Sequence, residues 1–115
     1  MYSKELLRGT LTTVVLQVLK SNGRMYGYEI AQKVKDQSGD EILLKEGSLY
    51  PLLHKLESEG KLRSEDELHG KRLRRYYVIT ESGKEEAARQ AQEIVAFFAT
   101  MRKFIDPLPD MEFSI

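Results

Sequence analysis

The 115-residue sequence predicts a mainly α fold with a small β-hairpin, and three observations carry that expectation. Leucine and valine recur at helical spacing through residues 6–19 and 49–56. Two β-rich runs flank a turn at 69–72, and an apolar heptad pattern runs from 87 to 105. Composition sets the frame. With 18 basic and 18 acidic side chains and 41% hydrophobic residues, the chain reads as one domain, long enough to bury roughly 60% of its unfolded surface but not to form two cores.

Ser3 is placed to cap a first helix with Leu7, Leu11, Val14 and Val18 on one stripe and Leu6, Val15 and Leu19 on a second. Two stripes mean two buried faces. Ser21-Asn22-Gly23 ends it. Tyr26-Gly27-Tyr28 leads into a second helix from Glu29 to Gln37, with Ile30 and Val34 one turn apart. Ile42 to Leu44 is long enough only for a small strand. A third helix starts near Glu46 with Leu49, Leu52, Leu53 and Leu56 on one face. If Gly47 or Ser48 caps it, Pro51 falls in the first turn, where its missing N–H is no loss; an earlier start makes Pro51 an interior proline. Gly60 closes this helix. Leu62–Leu68 and Leu73–Ile79 read as strands joined by His69-Gly70-Lys71-Arg72. Thr80 caps a last helix from Glu81 to about Ile105, ended by Pro107 and Pro109. Its apolar positions Ala87, Ala91, Ile94, Phe98, Met101 and Ile105 form an a/d seam. Residues 1–80 and 81–115 thus read as two functional units.

Several function classes drop out. The absence of cysteine excludes disulfide frameworks, thiolate zinc sites and cysteine nucleophiles. His54 and His69 are the only histidines, so a metal enzyme is not expected and neither metal nor cofactor is assigned. Ser48 and His54 project differently from one helix with no third residue to orient the imidazole, which argues against nucleophilic catalysis. The longest nearly apolar stretch, Leu11 to Leu19, contains Thr12, Thr13 and Gln17 and falls short of the roughly 20 residues of a membrane span. Glu5 and Arg8 interrupt any signal-peptide core, so a cytoplasmic protein with no membrane partner is expected.

Charge is neutral overall but unevenly placed. Lys71, Arg72, Arg74 and Arg75 crowd the end of the hairpin without an anion, whereas residues 81–115 carry seven acids against four bases. The cluster can anchor phosphates. It can equally pair across the hairpin with Glu65, Asp66 and Glu67 on the first strand.

The element order is helix, helix, short strand, helix, basic-tipped hairpin and long helix. It fits a winged helix-turn-helix followed by a C-terminal dimerisation helix. A helix is thin enough to enter a major groove about 12 Å wide, while a basic hairpin tip can reach the adjacent backbone or minor groove.

Three motifs resemble the PadR family of bacterial transcriptional regulators. They are Tyr26-Gly27-Tyr28-Glu29-Ile30, Gly47-Ser48-Leu49-Tyr50-Pro51-Leu52-Leu53 closed by Leu56-Glu57-Ser58-Glu59-Gly60, and Arg74-Arg75-Tyr76-Tyr77-Val78-Ile79-Thr80 leading to Gly83. Their order and spacing over about residues 6–83 make the resemblance specific. It implies a homodimeric repressor of nearby genes, with a winged helix at each end and C-terminal helices at the dimer interface. The single long helix after the wing resembles the compact branch of that family. Ser48 stands where threonine is common and keeps the hydroxyl; Leu73 stands where the wing often has proline.

The site expectations follow. Ser48, Tyr50, Pro51, His54 and Lys55 surround the exposed side of the third helix and are assigned to double-stranded DNA. The alternative is that Ser48 only caps and Tyr50 only packs. Tyr26 either fills space between helices or sets its hydroxyl on a phosphate. On the wing, Lys71 and Arg72 are assigned to phosphate or minor groove, with Arg74 next; Arg75 either joins them or pairs with Glu57. Dimerisation falls to Leu7, Leu11, Ala87, Ala91, Ile94, Phe98, Met101 and Ile105, which implies a pseudo-palindromic operator with half-sites about one helical turn apart. The resemblance further implies an aromatic or apolar effector between the last helices, where Phe97, Phe98 and Met101 could line a pocket or simply pack. The competing reading keeps the winged helix but uses it to bind protein rather than DNA.

Overall fold

The computed structural model describes residues 2–105. Helix α1 spans Lys4–Leu7 and α2 spans Leu11–Asn22. Ser3 caps as expected, accepting from the Leu6 amide at 3.2 Å. The single first helix expected is instead two, because Gly9 takes a φ of +87° and Thr10 turns back to donate its hydroxyl to the Leu7 carbonyl at 2.7 Å. Leu6 consequently lies on the surface while Val15 and Leu19 are buried.

Strand β1, Met25–Tyr26, precedes α3, Gly27–Gln37. The third strand therefore lies ahead of α3 and not at Ile42–Leu44. That segment is irregular: the Ser38 hydroxyl accepts from the Ile42 amide at 2.9 Å, and Ile42 and Leu44 pack against the core. Helix α4 runs Glu46–Ser58 with Lys45 as its N-cap. Ser48 is thus the third helical residue, not a cap, and Pro51 is interior. The helix tolerates Pro51 because its missing N–H leaves only the Gly47 carbonyl unserved, and Gly47 is exposed to water.

Strands β2, Leu62–His69, and β3, Arg72–Ile79, pair antiparallel from Leu62↔Ile79 to His69↔Arg72. Their turn is Gly70-Lys71, with Gly70 at φ +64° in the first central position, the type II′ arrangement that matches strand twist. β1 joins the other edge of β3 through Met25↔Tyr77 and Tyr26↔Tyr76, giving the order β1-β3-β2.

Helix α5 spans Glu81–Met101, capped by Thr80, whose hydroxyl oxygen accepts from the Gly83 amide at 3.0 Å. It ends one turn earlier than expected; Pro107 and Pro109 lie outside the described residues. The core gathers Val15, Leu16 and Leu19 of α2, Ile30 and Val34 of α3, Leu49, Leu53 and Leu56 of α4, Leu62, Tyr77 and Ala87. α5 docks on α2 through Gln17, which donates to the Ala87 carbonyl at 3.0 Å, and Thr13, which donates to Gln90 Oε1 at 2.7 Å. The two helices therefore run antiparallel, and the start of α2 points towards the later turns of α5. No helix among the described residues is long and apolar enough to cross a membrane.

Candidate nucleic-acid interface

On α4 the leucines of the buried stripe fix the outward face. Pro51 and His54 lie opposite Leu49, Leu53 and Leu56, with Tyr50 on one flank and Ser48 and Lys55 on the other. All five expected contact residues are exposed. Tyr50 both packs and faces outward. Its ring lies so close to Gly27 that a β-carbon there would sit 2.8 Å from it. The glycine therefore lets the tyrosine rest on the first turn of α3.

That turn, the start of α4 and β3 enclose a cleft of about 440 Å³ lined by Tyr26, Tyr28, Glu46, Tyr50 and Arg72–Arg75. It opens beside β3 because β1 ends at Tyr26 and leaves the outer half of that edge unpaired. Tyr26 caps α3, its amide donating to Glu29 Oε1 at 3.2 Å. Its ring meets Tyr76 edge-on with centroids 5.4 Å apart, and the Arg74 guanidinium lies 4.6 Å from its centroid. Tyr26 thus joins the space-filling role to a place in the cleft.

The wing alternates as strand geometry requires. Arg72, Arg74 and Tyr76 share one face; Leu73, Arg75 and Tyr77 share the other. Arg75 pairs with its neighbour Asp66 at 3.1 Å, which raises its pKa, and Glu57 takes its hydrogen bond from Ser64. The Arg75–Glu57 pair, one of the two roles left open for Arg75, gives way to this cross-strand pair with Asp66. Burial pushes the Tyr77 phenol upward.

Cross-strand pairing otherwise fails to consume the basic residues. Glu65 and Glu67 turn to Arg24, at 3.3 and 3.0 Å, with Arg63 also on Glu65. His69 Nε2 lies 3.0 Å from Glu67 Oε2 and 3.1 Å from the Tyr76 hydroxyl. His69 and then Arg24 hold the Glu67 carboxyl below its usual range. Lys71 and Arg72, at the tip, have no ion pair among the described residues and face solvent. They are the cations best placed for phosphate.

Sequence reasoning missed Arg24 and Glu46. Arg24 sits 43 residues from Glu67, and only the excess of acids on β2 hinted that a third element would supply a cation. Glu46 is the first residue of α4 and the one acid lining the cleft.

The expected dimer residues divide. Ala87 is fully buried in the core of the single chain, so the seam available to a partner begins after it. Leu7, Leu11, Ala91 and Ile94 are half-buried, whereas Phe98, Met101 and Ile105 are exposed. Phe97 and Phe98 lie with ring centroids 6.5 Å apart and are 57% and 48% exposed.

Residues 15–89 match the model of the transcriptional regulator PadR-like family. The negative transcriptional regulator PadR of Bacillus subtilis is 32% identical over 77 residues, which are 66% of this chain and 42% of that protein. A transcriptional regulator from Clostridium thermocellum superposes with a TM-score of 0.84 at 28% identity, covering 90% of this chain and all of that one. The crystal structure of Bacillus subtilis PadR in complex with operator DNA superposes with a TM-score of 0.67 at 25% identity, over 94% of this chain and 54% of that one.

Proposed function

Because the chain belongs to the transcriptional regulator PadR-like family and is a DNA-binding regulator rather than an enzyme, we propose that it is a cytoplasmic homodimeric repressor released from its operator by a small-molecule effector. The observation that carries the dimer is the apolar row on α5. Ala91, Ile94, Phe98 and Met101 continue past the turn that meets α2, Ile105 follows just beyond the helix end, and most of these side chains face water. A second copy would bury the row. Leu7 and Leu11, on the part of the chain that runs alongside these turns, would close its flank. Residues 1–80 then serve DNA and residues 81–115 serve dimerisation. The Bacillus subtilis relative in complex with operator DNA supports DNA binding, and the exposed face of α4 and the basic wing are the surfaces that suit it.

Sedimentation tests the interface. At micromolar concentration the protein is expected to be a dimer, and Ile94→Glu with Phe98→Glu is expected to give a folded monomer. A wild-type monomer, or a dimer that survives both charges, would place the interface elsewhere.

In such a dimer Phe97, Phe98 and Met101 of the two chains line an apolar space suited to an aromatic or apolar effector. The crossing of the two α5 helices sets the distance between the α4 helices, so a ligand that prefers one crossing shifts DNA affinity by its differential affinity for the two forms. Coupling of this kind is typically about 5- to 150-fold and reciprocal. An effector should therefore bind the DNA complex more weakly than the free dimer by the same factor, and equal calorimetric affinities would exclude the role.

A further inference from the structure

We infer that Arg24 is a positioning residue for DNA binding: by holding Glu67 on the outer wing face, it keeps that acid from capturing Arg74 on the neighbouring strand. The inference rests on the DNA-binding reading of the cleft and adds to it a residue that touches no DNA. Register makes the competition concrete. Glu67 and Arg74 lie directly opposite on β2 and β3, and facing side chains of opposite charge ordinarily pair. Here they do not. The Glu67 carboxylate accepts from Arg24 Nη2 at 3.0 Å and lies 3.0 Å from His69 Nε2, while Arg74 turns to the Tyr26 ring beside the cleft.

Arg24 can do this because three partners fix it. Its Nε reaches Glu65 at 3.3 Å, its Nη2 reaches Glu67, and its guanidinium lies 3.8 Å from the centroid of the Tyr76 ring. Tyr76 in turn meets His69, the last residue of β2 before the turn, at 3.1 Å. Arg24, Glu67, His69 and Tyr76 form a closed ring of contacts linking the segment before β1 to the base of the wing tip. A planar cation with several donors suits the position, since it can stack and bridge two carboxylates together. Lysine could bridge carboxylates with its three donors but has no planar group to lay on the ring at the same time. Without Arg24, Glu67 keeps His69 as its remaining partner, and the cation directly opposite it in the strand register is Arg74; an Arg74 paired to Glu67 is lost to phosphate.

The sign of a double substitution tests this. Affinity and its salt dependence are measured on a duplex that the wild-type protein selects from a random-sequence pool. Arg24→Ala should bind roughly tenfold more weakly, with a salt slope reduced by about one per protomer, the signature of one phosphate cation withdrawn. Adding Glu67→Gln to Arg24→Ala should restore affinity to within about twofold and recover the slope, while Glu67→Gln alone should change little. If Glu67→Gln raises affinity by the same factor in both backgrounds, Glu67 acts only as a general repulsive charge and the inference is wrong. It is equally wrong if Arg24→Ala is not rescued, because Arg24 then contacts DNA itself. Arg24 lies on the surface, so folding is not at issue. If the wild-type protein selects no sequence at all, the DNA-binding reading fails first, and the two failures are distinguished.

Discussion

At Gly27 the missing side chain makes room for a neighbour. Tyr50 comes from α4 and settles on the first turn of α3, and a β-carbon at Gly27 would meet its ring and hydroxyl at 2.8 Å. The atoms in the way are the far end of a side chain that can swing aside. Gly27→Ala should therefore leave the fold close to wild-type stability while displacing Tyr50 from the cleft. The expected outcome is a weaker grip on specific DNA by on the order of 1 kcal/mol, matching Tyr50→Ala, with a smaller effect on random duplex. If Tyr50→Ala weakens specific binding and Gly27→Ala does not, the packed position of the ring is irrelevant to readout. Residue exposure was legible in the sequence where it depends on neighbours along the chain. The α4 positions are exposed because leucine periodicity fixes the opposite face. Arg24 was not legible, since its partners lie on a strand 41 and 43 residues away and nothing local marks it.

Elements declared themselves through their ends. Ser3 and Thr80 cap, and Gly23 and Gly60 take positive φ at helix C-termini. Both wing strands begin and end within one residue of the positions read from their β-rich composition. The misses share one cause: a signal shorter than its period. β1 has two residues and cannot show alternation; it exists because Met25 and Tyr26 pair with Tyr77 and Tyr76. The break at Gly9 leaves the leucine spacing on either side undisturbed, so periodicity reads straight through it. Helix α4 starts at Glu46, where the pattern returns to helix, and of the two placements left open for Pro51 the structure takes the interior one. Gly83 shows how tightly the last helix is seated. A β-carbon there would lie 2.1 Å from the Lys61 carbonyl oxygen, a backbone atom that cannot swing away. The beginning of α5 is thereby packed against the link between α4 and the wing.

For the molecule as a whole, that packing ties α5 to the elements that carry the proposed DNA surface. α5 contributes Ala87 to the same core that holds Leu49, Leu53 and Leu56 of α4, so the proposed division of roles at residue 80 is not a division of packing. The outer turns of α5 leave the core and carry their apolar row into solvent. A symmetric pair of chains joined there would present two α4 helices in a fixed spacing, as paired half-sites require. The overall charge of zero conceals this arrangement, because the cations that matter are concentrated at the wing. The most direct test is hydroxyl-radical footprinting on the selected duplex, with the number of bound chains counted by sedimentation. A dimer is expected to give two chains per duplex and two protected segments on one side of the DNA, centred about one helical turn, or ~34 Å, apart. One chain per duplex with a single protected segment would contradict it.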